Sequence, residues 1–363
     1  MTTKNILEIK DLKIAFKTFG EKINAIRGIN LKVAKGETVA IVGESGSGKS
    51  VTVKAIMGNL TNNQEIEGGQ ILFSYTENGK EITRDLLKMS KKEMRKEIKG
   101  KRISMVFQDP MTSLNPTMTV GKQILEAIYA HNKTINRKEA HERVKDLLST
   151  VGINHIDSIM KAYPHQLSGG MRQRIVIAIA ISCEPELLIC DEPTTALDVT
   201  IQSKILDLIR DIQEKRNLSV IFITHDLGVV SRIANRVNVL YAGKIIESGS
   251  CNEIFYNPNH PYTWGLMQST PDINSNETRL SYIPGTPKQL IGEITGDPFA
   301  PRNPYALTID YRQEPPIFKV NDEHWAATWL LDSKAPKVDM PEQLKSRIEQ
   351  MKEFNNKMLT DMK

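Results

Sequence analysis

The strongest constraint on this chain is the stretch Gly43-Glu44-Ser45-Gly46-Ser47-Gly48-Lys49-Ser50, which fits the pattern G-x-x-x-x-G-K-[ST]. An apolar run from Thr38 to Val42 precedes it and reads as a buried strand. Val51 to Leu60 follows with helix-compatible composition and ends near Gly58-Asn59. Strand, glycine loop and helix form the setting in which this motif cradles phosphates. Its glycines let backbone N–H groups turn inward while the helix N-terminus faces a polyanion. In that arrangement Lys49 reaches the β- and γ-phosphates and the Ser50 hydroxyl ligates Mg²⁺. A glycine-rich turn ahead of an ordinary helix is the plain alternative. The filled motif in its expected setting favours a bound nucleoside triphosphate.

The 363 residues suffice for two domains, or for one large domain with appendages. Hydrophobic residues at 40% and charged residues at 25% place the chain among ordinary soluble proteins. A net charge of +5 is too small to argue for nucleic acid and is equally compatible with anionic headgroups nearby. Cys183, Cys190 and Cys251 lie in no metal-binding spacing; an odd number suits a reducing compartment and small buried side chains. The N-terminus leads into a strand pattern rather than a signal-peptide core. No apolar run approaches the roughly 18 to 20 residues of a membrane span, so a membrane role would come through partners.

Along the chain, residues 6–42 alternate as short strands: Leu7, Ile9, then Leu12, Ile14, Phe16, then Ile29, Leu31, Val33. Phe16 or Phe19 offers a ring to a flat base, or is strand core. After polar residues 61–69 a strand is expected over Gln70 to Tyr75. Residues 77–102 carry both charge signs at near-helical spacing and read as a solvated helix face, not a nucleic-acid patch. Ile103 to Phe107 is a strand, followed by a polar loop to Pro116 and helices over Val120–Ala130 and Lys138–Val151, so 110–170 reads as a mainly helical insertion. Leu167-Ser168-Gly169-Gly170-Met171-Arg172-Gln173 then opens an apolar helix with a second anion-ready N-terminus. Leu187 to Cys190 is a strand ending in Asp191-Glu192. Among proteins with the phosphate loop such a strand lies beside the loop's own strand and brings its Asp to Mg²⁺. Glu192 can then polarise a water as general base. Thr195-Ala196-Leu197-Asp198 starts a helix, Ser219 to Thr224 is a strand ending at His225, and Val237–Tyr241 with Lys244–Glu247 closes a hairpin around Ala242-Gly243. Ligands in α/β sheets bind at such strand ends, which makes His225 a site candidate.

Together and in this order, these residues resemble the ATP-binding cassette of ABC transporters over about residues 5–250. The resemblance implies a RecA-like P-loop core, an antiparallel β subdomain and a helical subdomain. It implies Walker A at Gly43–Ser50 with Val51 alongside, the Q-loop Gln108, the signature at Leu167–Gln173, and Walker B ending at Asp191. It further implies the catalytic Glu192, the D-loop Ala196-Leu197-Asp198, the switch His225, and Phe16 as the adenine-stacking ring. Ser50, Asp191 and Gln108 would serve Mg²⁺. In the family two cassettes dimerise head to tail, so Ser168, Gly169, Gly170, Gln173 and Asp198 would meet ATP held by the other cassette. Ser168 and the amides after it form an anion site with no phosphate of its own, which is why two half-sites need an interface.

A narrower likeness runs to about residue 335. Phe107-Gln108-Asp109-Pro110-Met111-Thr112-Ser113-Leu114-Asn115-Pro116, Tyr163-Pro164-His165-Gln166, Glu253-Ile254-Phe255, Pro258 to Thr263 and Ile283 to Pro287 resemble the oligopeptide, dipeptide and nickel importer ATPases. Ser47 and Val51-Thr52-Val53 are more similar to the D-type ATPase of that group than to its F-type partner. Many such proteins carry a cysteine-ligated iron–sulfur site after a Phe-x-Pro-Arg segment. Here the segment is Phe299-Ala300-Pro301-Arg302 and the matching positions are Asn303, Asp310 and Thr328, so no cluster is expected. The implied organisation is a cassette over 1–250, an importer-type extension over 251–335 and an amphipathic tail over 336–363. The tail's Leu344, Ile348, Met351 and Met358 share a face suited to its own chain, a partner or a membrane surface. The implied function is ATP-driven oligopeptide uptake, peripheral on the cytoplasmic face of the membrane. Its partners would be a second, paralogous cassette, two transmembrane permease subunits and an extracytoplasmic peptide-binding protein, with no nucleic acid. Dipeptide or nickel import is the near alternative. A soluble ABC ATPase of DNA repair or translation is the distant one, lacking here a coiled-coil or zinc insertion and a second cassette; a P-loop kinase would have no use for the signature loop.

Overall fold

The computed structural model describes residues 4–18, 20–195, 197–269, 282–287, 290–292 and 294–361. Phe19 and Ala196 lie outside the described residues. Residues expected as several short strands form two long ones, β1 (Asn5–Thr18) and β2 (Glu21–Ala34), paired antiparallel with register shifts. The shifts near Asp11, which has a positive φ of 44°, explain why the alternation breaks between Ile9 and Leu12. β3 (Thr38–Val42) is wholly buried, and α1 (Lys49–Ile56) is shorter than its composition suggests. β4 (Gln64–Glu77) begins inside the polar segment 61–69, because one face of this strand is exposed; β5 (Lys80–Asp85) follows. The mixed-charge stretch 77–102 is therefore not one helix. It is a hairpin arm, a one-turn α2 (Lys91–Glu93) and a π-turn over Met94–Ile98; the β4–β5 pairing overrides the helical spacing of its charges. The four strands order as β2-β1-β4-β5.

The chain continues through β6 (Ile103–Val106) and the short α3 (Pro110–Ser113), which lies within the expected loop. Helices α4 (Val120–His131), α5 (Arg137–Thr150) and α6 (Ile156–Lys161) follow, then α7 (Gly169–Ala180). Val144, Leu147, Leu148 and Val151 share one buried cluster with Ile124, Ile128 and Ile175. β7 (Leu187–Asp191), α8 (Val199–Arg216), β8 (Ser219–Thr224), α9 (Leu227–Ile233), β9 (Arg236–Tyr241) and β10 (Lys244–Ser250) complete the cassette. Beyond it lie α10 (Cys251–Tyr256), α11 (Pro261–Gln268), β11 (Phe318–Lys319), β12 (Trp325–Ala326) and α12 (Glu342–Asp361).

The second sheet has eight strands in the order β11-β12-β10-β9-β3-β8-β7-β6. This corrects one expectation: β7 is not beside β3, because β8 pairs parallel with both and separates them. The run Thr38-Val42 and the run Ser219-Thr224 are both buried on two faces, as central parallel strands require. Strand ends at Val42, Asp191 and Thr224 consequently share one edge of the sheet, where bound molecules sit in such folds. The segment past residue 250 joins this sheet through β12 on β10 and joins the other sheet through Asn24 N–H to the Leu290 carbonyl. Among the described residues no helix is long and apolar enough to cross a membrane.

Candidate functional site

The turn after β3 is possible only with glycine at two places. Gly43 has φ 155°, and a Cβ there would lie 2.2 Å from the Leu240 carbonyl oxygen of β9. Gly48 has φ 112°, and a Cβ there would lie 2.8 Å from Ile26 Cδ1 and 3.0 Å from the Ala25 oxygen. The loop thus threads between β9 and β2 at backbone distance. Ser45 and Gly46 stay exposed at its tip, while Ser47 is buried and its hydroxyl has no hydrogen-bond partner among the described residues. Lys49 is 6% exposed, and its Nζ donates to the carbonyls of Gly43 (2.7 Å) and Glu44 (3.0 Å). Burial pulls its pKa down, against the attraction of Glu192, Asp191 and Glu44.

Asp191 closes β7, where the Ser50 side chain is among the groups that favour its charged form. Burial, and then the neighbouring Glu192, raise its pKa, while Lys49, Lys54 and Ser50 oppose the rise. Glu192 holds a left-handed backbone, φ 46°, fixed by its N–H on the Ile223 carbonyl at 2.9 Å. That turn aims its carboxylate at the sheet edge. Oε2 accepts from Gln108 Nε2 (3.3 Å) and from the Thr195 hydroxyl (3.1 Å), and His225 Nδ1 is 3.2 Å away. Gln108 after β6, Glu192 after β7 and His225 after β8 therefore meet on one oxygen, although 117 positions of numbering separate the first from the last. Val51 is half-buried in the first turn of α1. Phe16 is half-buried in β1, opposite Ile23 and Gln64.

Ser168 caps α7, its hydroxyl accepting from Met171 N–H at 3.3 Å, and both Ser168 and Gly169 are exposed. Asp198 caps α8 in the same way, accepting from Ile201 N–H at 2.9 Å. The two helix starts touch: a Cβ on Gly170 would lie 2.8 Å from Ile201 Cγ2, and one on Gly169 would lie 3.6 Å from Leu197 Cδ2. Gln173, unlike Ser168 and Gly169, is fully buried one turn into α7, and its amide has no hydrogen-bond partner among the described residues.

Three contacts had no local signal in the sequence. Thr195 holds Glu192, Tyr262 accepts the Glu44 N–H at 2.9 Å, and Arg302 pairs with the Glu44 carboxylate. The last two lie more than 200 positions from their partner, beyond any spacing rule. Of the positions matched to cluster ligands, Asn303 accepts from Tyr305 N–H, Asp310 from Leu307 N–H and Thr328 from Leu330 N–H, so each caps its own turn.

The chain's sequence matches the family described as ABC transporter over residues 26–195 and the one described as oligopeptide/dipeptide transporter, C-terminal region, over residues 246–309. It is 53% identical over 348 residues to the oligopeptide transport ATP-binding protein OppD of Bacillus subtilis, covering 95% of this chain and 94% of that protein. It is 50% identical over 354 residues to the dipeptide transport ATP-binding protein DppD of Lactococcus lactis, covering 98% and 99%. Among solved structures, an ATP-binding cassette captured as a dimer after hydrolysis, bound to ADP and Pi, aligns with TM-score 0.58 at 26% identity, covering 68% of this chain and 98% of the other. A cassette from Clostridium perfringens, part of the ABC transporter complex cbiONQ, aligns with TM-score 0.58 at 30% identity over 70% and 91%. With its phosphate loop, its carboxylates at the strand ends and this degree of identity along nearly its whole length, the chain belongs to the ATP-hydrolysing subunits of ABC transporters, in the group of oligopeptide and dipeptide transport ATP-binding proteins.

Proposed function

We propose that this chain hydrolyses ATP to drive uptake of oligopeptides, with Glu192 as the general base. The observation that carries the reading is the meeting of Gln108, Thr195 and His225 on one carboxylate oxygen of Glu192, next to Asp191 at the end of β7. The loop suits a triphosphate: Gly43 and Gly48 leave no room for side chains, the Ser47 hydroxyl is buried without a partner among the described residues, and the Lys49 ammonium is held by carbonyls it can exchange for phosphate oxygens. Ser50 and Asp191 would supply hard oxygen donors and the Gln108 amide oxygen a third, and such a sparse set suits Mg²⁺, which keeps several waters. When bound, Mg²⁺ would neutralise charge on the phosphate oxygens. The chain's own residues do the rest. Glu192 accepts a proton from the attacking water, His225 and Gln108 hold the carboxylate and that water in line, and Lys49 fixes the phosphates.

Ser168, Gly169, Gly170, Gln173 and Asp198 would complete a site whose phosphate loop belongs to a second cassette. The exposure of Ser168 and Gly169 and the ADP-bound dimer of the similar cassette support this. Ala196 would belong to the same surface, and Phe16 would stack the adenine. The partners would be a paralogous cassette, two transmembrane permease subunits and an extracytoplasmic peptide-binding protein, which puts the chain on the cytoplasmic face of the membrane. The names of its relatives support a peptide over nickel. The turn-capping duties of Asn303, Asp310 and Thr328 support an extension without a thiolate-held cluster. The cassette over 1–250, the extension over 251–335 and the tail over 336–363 are the corresponding division of labour.

Glu192→Gln tests the base. The amide keeps the contacts to Thr195 and His225 but has no basic oxygen, so turnover in the assembled transporter should fall by about 10²–10⁴-fold with ATP binding retained. Hydrolysis near the wild-type rate would remove Glu192 from this role.

A further inference from the structure

Glu44, the second residue of the phosphate loop, has its carboxylate and its backbone N–H held by the extension. Both its carboxylate oxygens accept from one guanidinium: Arg302 Nη1 to Oε2 at 2.6 Å, and Arg302 Nη2 to Oε1 at 2.9 Å. Its backbone N–H donates to the Tyr262 hydroxyl at 2.9 Å. Arg302 follows Phe299 and Tyr262 lies on α11, so all three anchors come from beyond residue 250. The guanidinium is itself fixed, with Nε donating to the Pro284 carbonyl at 2.8 Å and Nη1 to the Tyr241 hydroxyl at 3.3 Å. Beneath it Tyr241, Tyr262 and Phe299 pack as a triangle of rings, with centroids 4.6, 5.3 and 5.4 Å apart.

The arrangement bears on the loop's chemistry. A paired, forked contact between a guanidinium and a carboxylate is stronger and more directional than a neutral hydrogen bond. Arg302 is 5% exposed, so the pair is shielded on its cationic side. The residue whose side chain it grips is one of two, with Gly43, whose carbonyls receive the Lys49 ammonium. Orientation of Glu44 therefore sets where Lys49 stands and which way the loop's first amides point. A loop already ordered spends less binding energy on ordering when its ligand arrives.

We propose that Arg302 is a positioning residue for nucleotide binding: through Glu44, and together with Tyr262, the C-terminal extension holds the phosphate loop in its ATP-receiving shape. This rests on the reading of Gly43–Ser50 as the ATP site and assigns part of that site's construction to the extension. A change of shape in the extension is then felt as a change in ATP affinity.

The test is ATP titration into the full-length chain carrying Arg302→Met, Arg302→Lys, Glu44→Ala and the Arg302→Met/Glu44→Ala pair, with Lys49→Ala as control and melting temperature measured alongside. Arg302→Met should weaken ATP binding by about tenfold, and Arg302→Lys, which keeps charge but loses the fork, by about threefold. Because Arg302 acts through Glu44, adding Arg302→Met to Glu44→Ala should change affinity by less than about twofold. A merely structural arginine would lower the melting temperature while the folded protein bound ATP as wild type does. That result, or equal losses in the two backgrounds, overturns the proposal. If Arg302→Met does not fold, Arg302→Lys and Glu44→Gln decide, and unchanged affinity in both overturns it. Lys49→Ala binding ATP normally would instead refute the site reading itself. Loss in Lys49→Ala with none in Arg302→Met refutes the clamp alone.

Discussion

Buried His324, which ties the extension to the cassette, and half-buried Asp297 give the fold a pH response. His324 is fully buried between Glu247 and Glu253, with Nε2 2.9 Å from Glu247 and Nδ1 3.1 Å from Glu253. Burial pulls its pKa down, but the two carboxylates outweigh that and leave it raised. Asp297 is pushed up to about 6, chiefly by burial, while its carboxylate accepts the Phe299 N–H at 2.9 Å. In both cases the folded pKa lies above the unfolded one. The stability each contributes is thus complete below its unfolded pKa, about 3.9 for Asp and 6.5 for His, and is lost as pH rises through the folded value. For Asp297 the window runs from about pH 4 to pH 6. Asp297→Asn keeps the acceptor for Phe299 and cannot ionise, so it should remove a pH-dependent loss of up to about 3 kcal/mol. Denaturant melts at pH 4 and pH 7 read the effect directly: the variant should decline less across this range than wild type. Equal declines would show that Asp297 keeps an ordinary carboxylate pKa.

At the scale of elements, the tail helix shows how periodicity becomes packing. Leu344 and Ile348 of α12 are 1% and 3% exposed and join the cluster of Ile254, Phe255, Leu266 and Met267 from α10 and α11. Arg347 adds a bond from Nη1 to the Met267 carbonyl at 2.9 Å. Leu344→Ala should therefore cost about 2–4 kcal/mol by transfer and cavity terms. A loss under about 0.5 kcal/mol in urea unfolding would mean the helix is not docked in solution. The same helix was legible in the spacing of its apolar residues, as were β3, β8 and α7, whose runs are long and uninterrupted. Stretch 77–102 was not, because charges on an exposed hairpin repeat as they do on an exposed helix. Nor was the order of β3, β8 and β7, since three largely apolar, buried strands carry nothing that ranks them across a sheet. Gln108, Glu192 and His225, the proposed catalytic group, stood out as motifs, and their convergence on one carboxylate needed the sheet. The hold of Arg302 and Tyr262 on Glu44 was out of reach, because only the fold brings positions so distant together.

For the whole molecule the decisive question is where the exposed N-terminus of α7 finds its phosphate. α7 packs against α4, α5 and α8 within the helical core, and Ser168 and Gly169 face solvent. The Ser168 hydroxyl is occupied with capping its own helix, yet the N–H groups of the first turn remain an anion site. If the site is completed by a second cassette, a defect here must differ in kind from one at Lys49. Ser168→Arg puts a long cationic side chain where the partner's nucleotide would approach. ATP affinity of the isolated chain should then stay within about twofold of wild type, while hydrolysis in the assembled transporter should fall by about 10²-fold or more, because closure positions the phosphates for Glu192. Lys49→Ala removes a charge aimed at the phosphates of its own site and should lower affinity in the isolated chain. In a transporter built with a paralogous cassette, each substitution would damage a different composite site. Titrating labelled ATP into the two isolated variants separates the cases: if Ser168→Arg weakens binding as much as Lys49→Ala, the loop touches its own chain's nucleotide and the shared site is wrong.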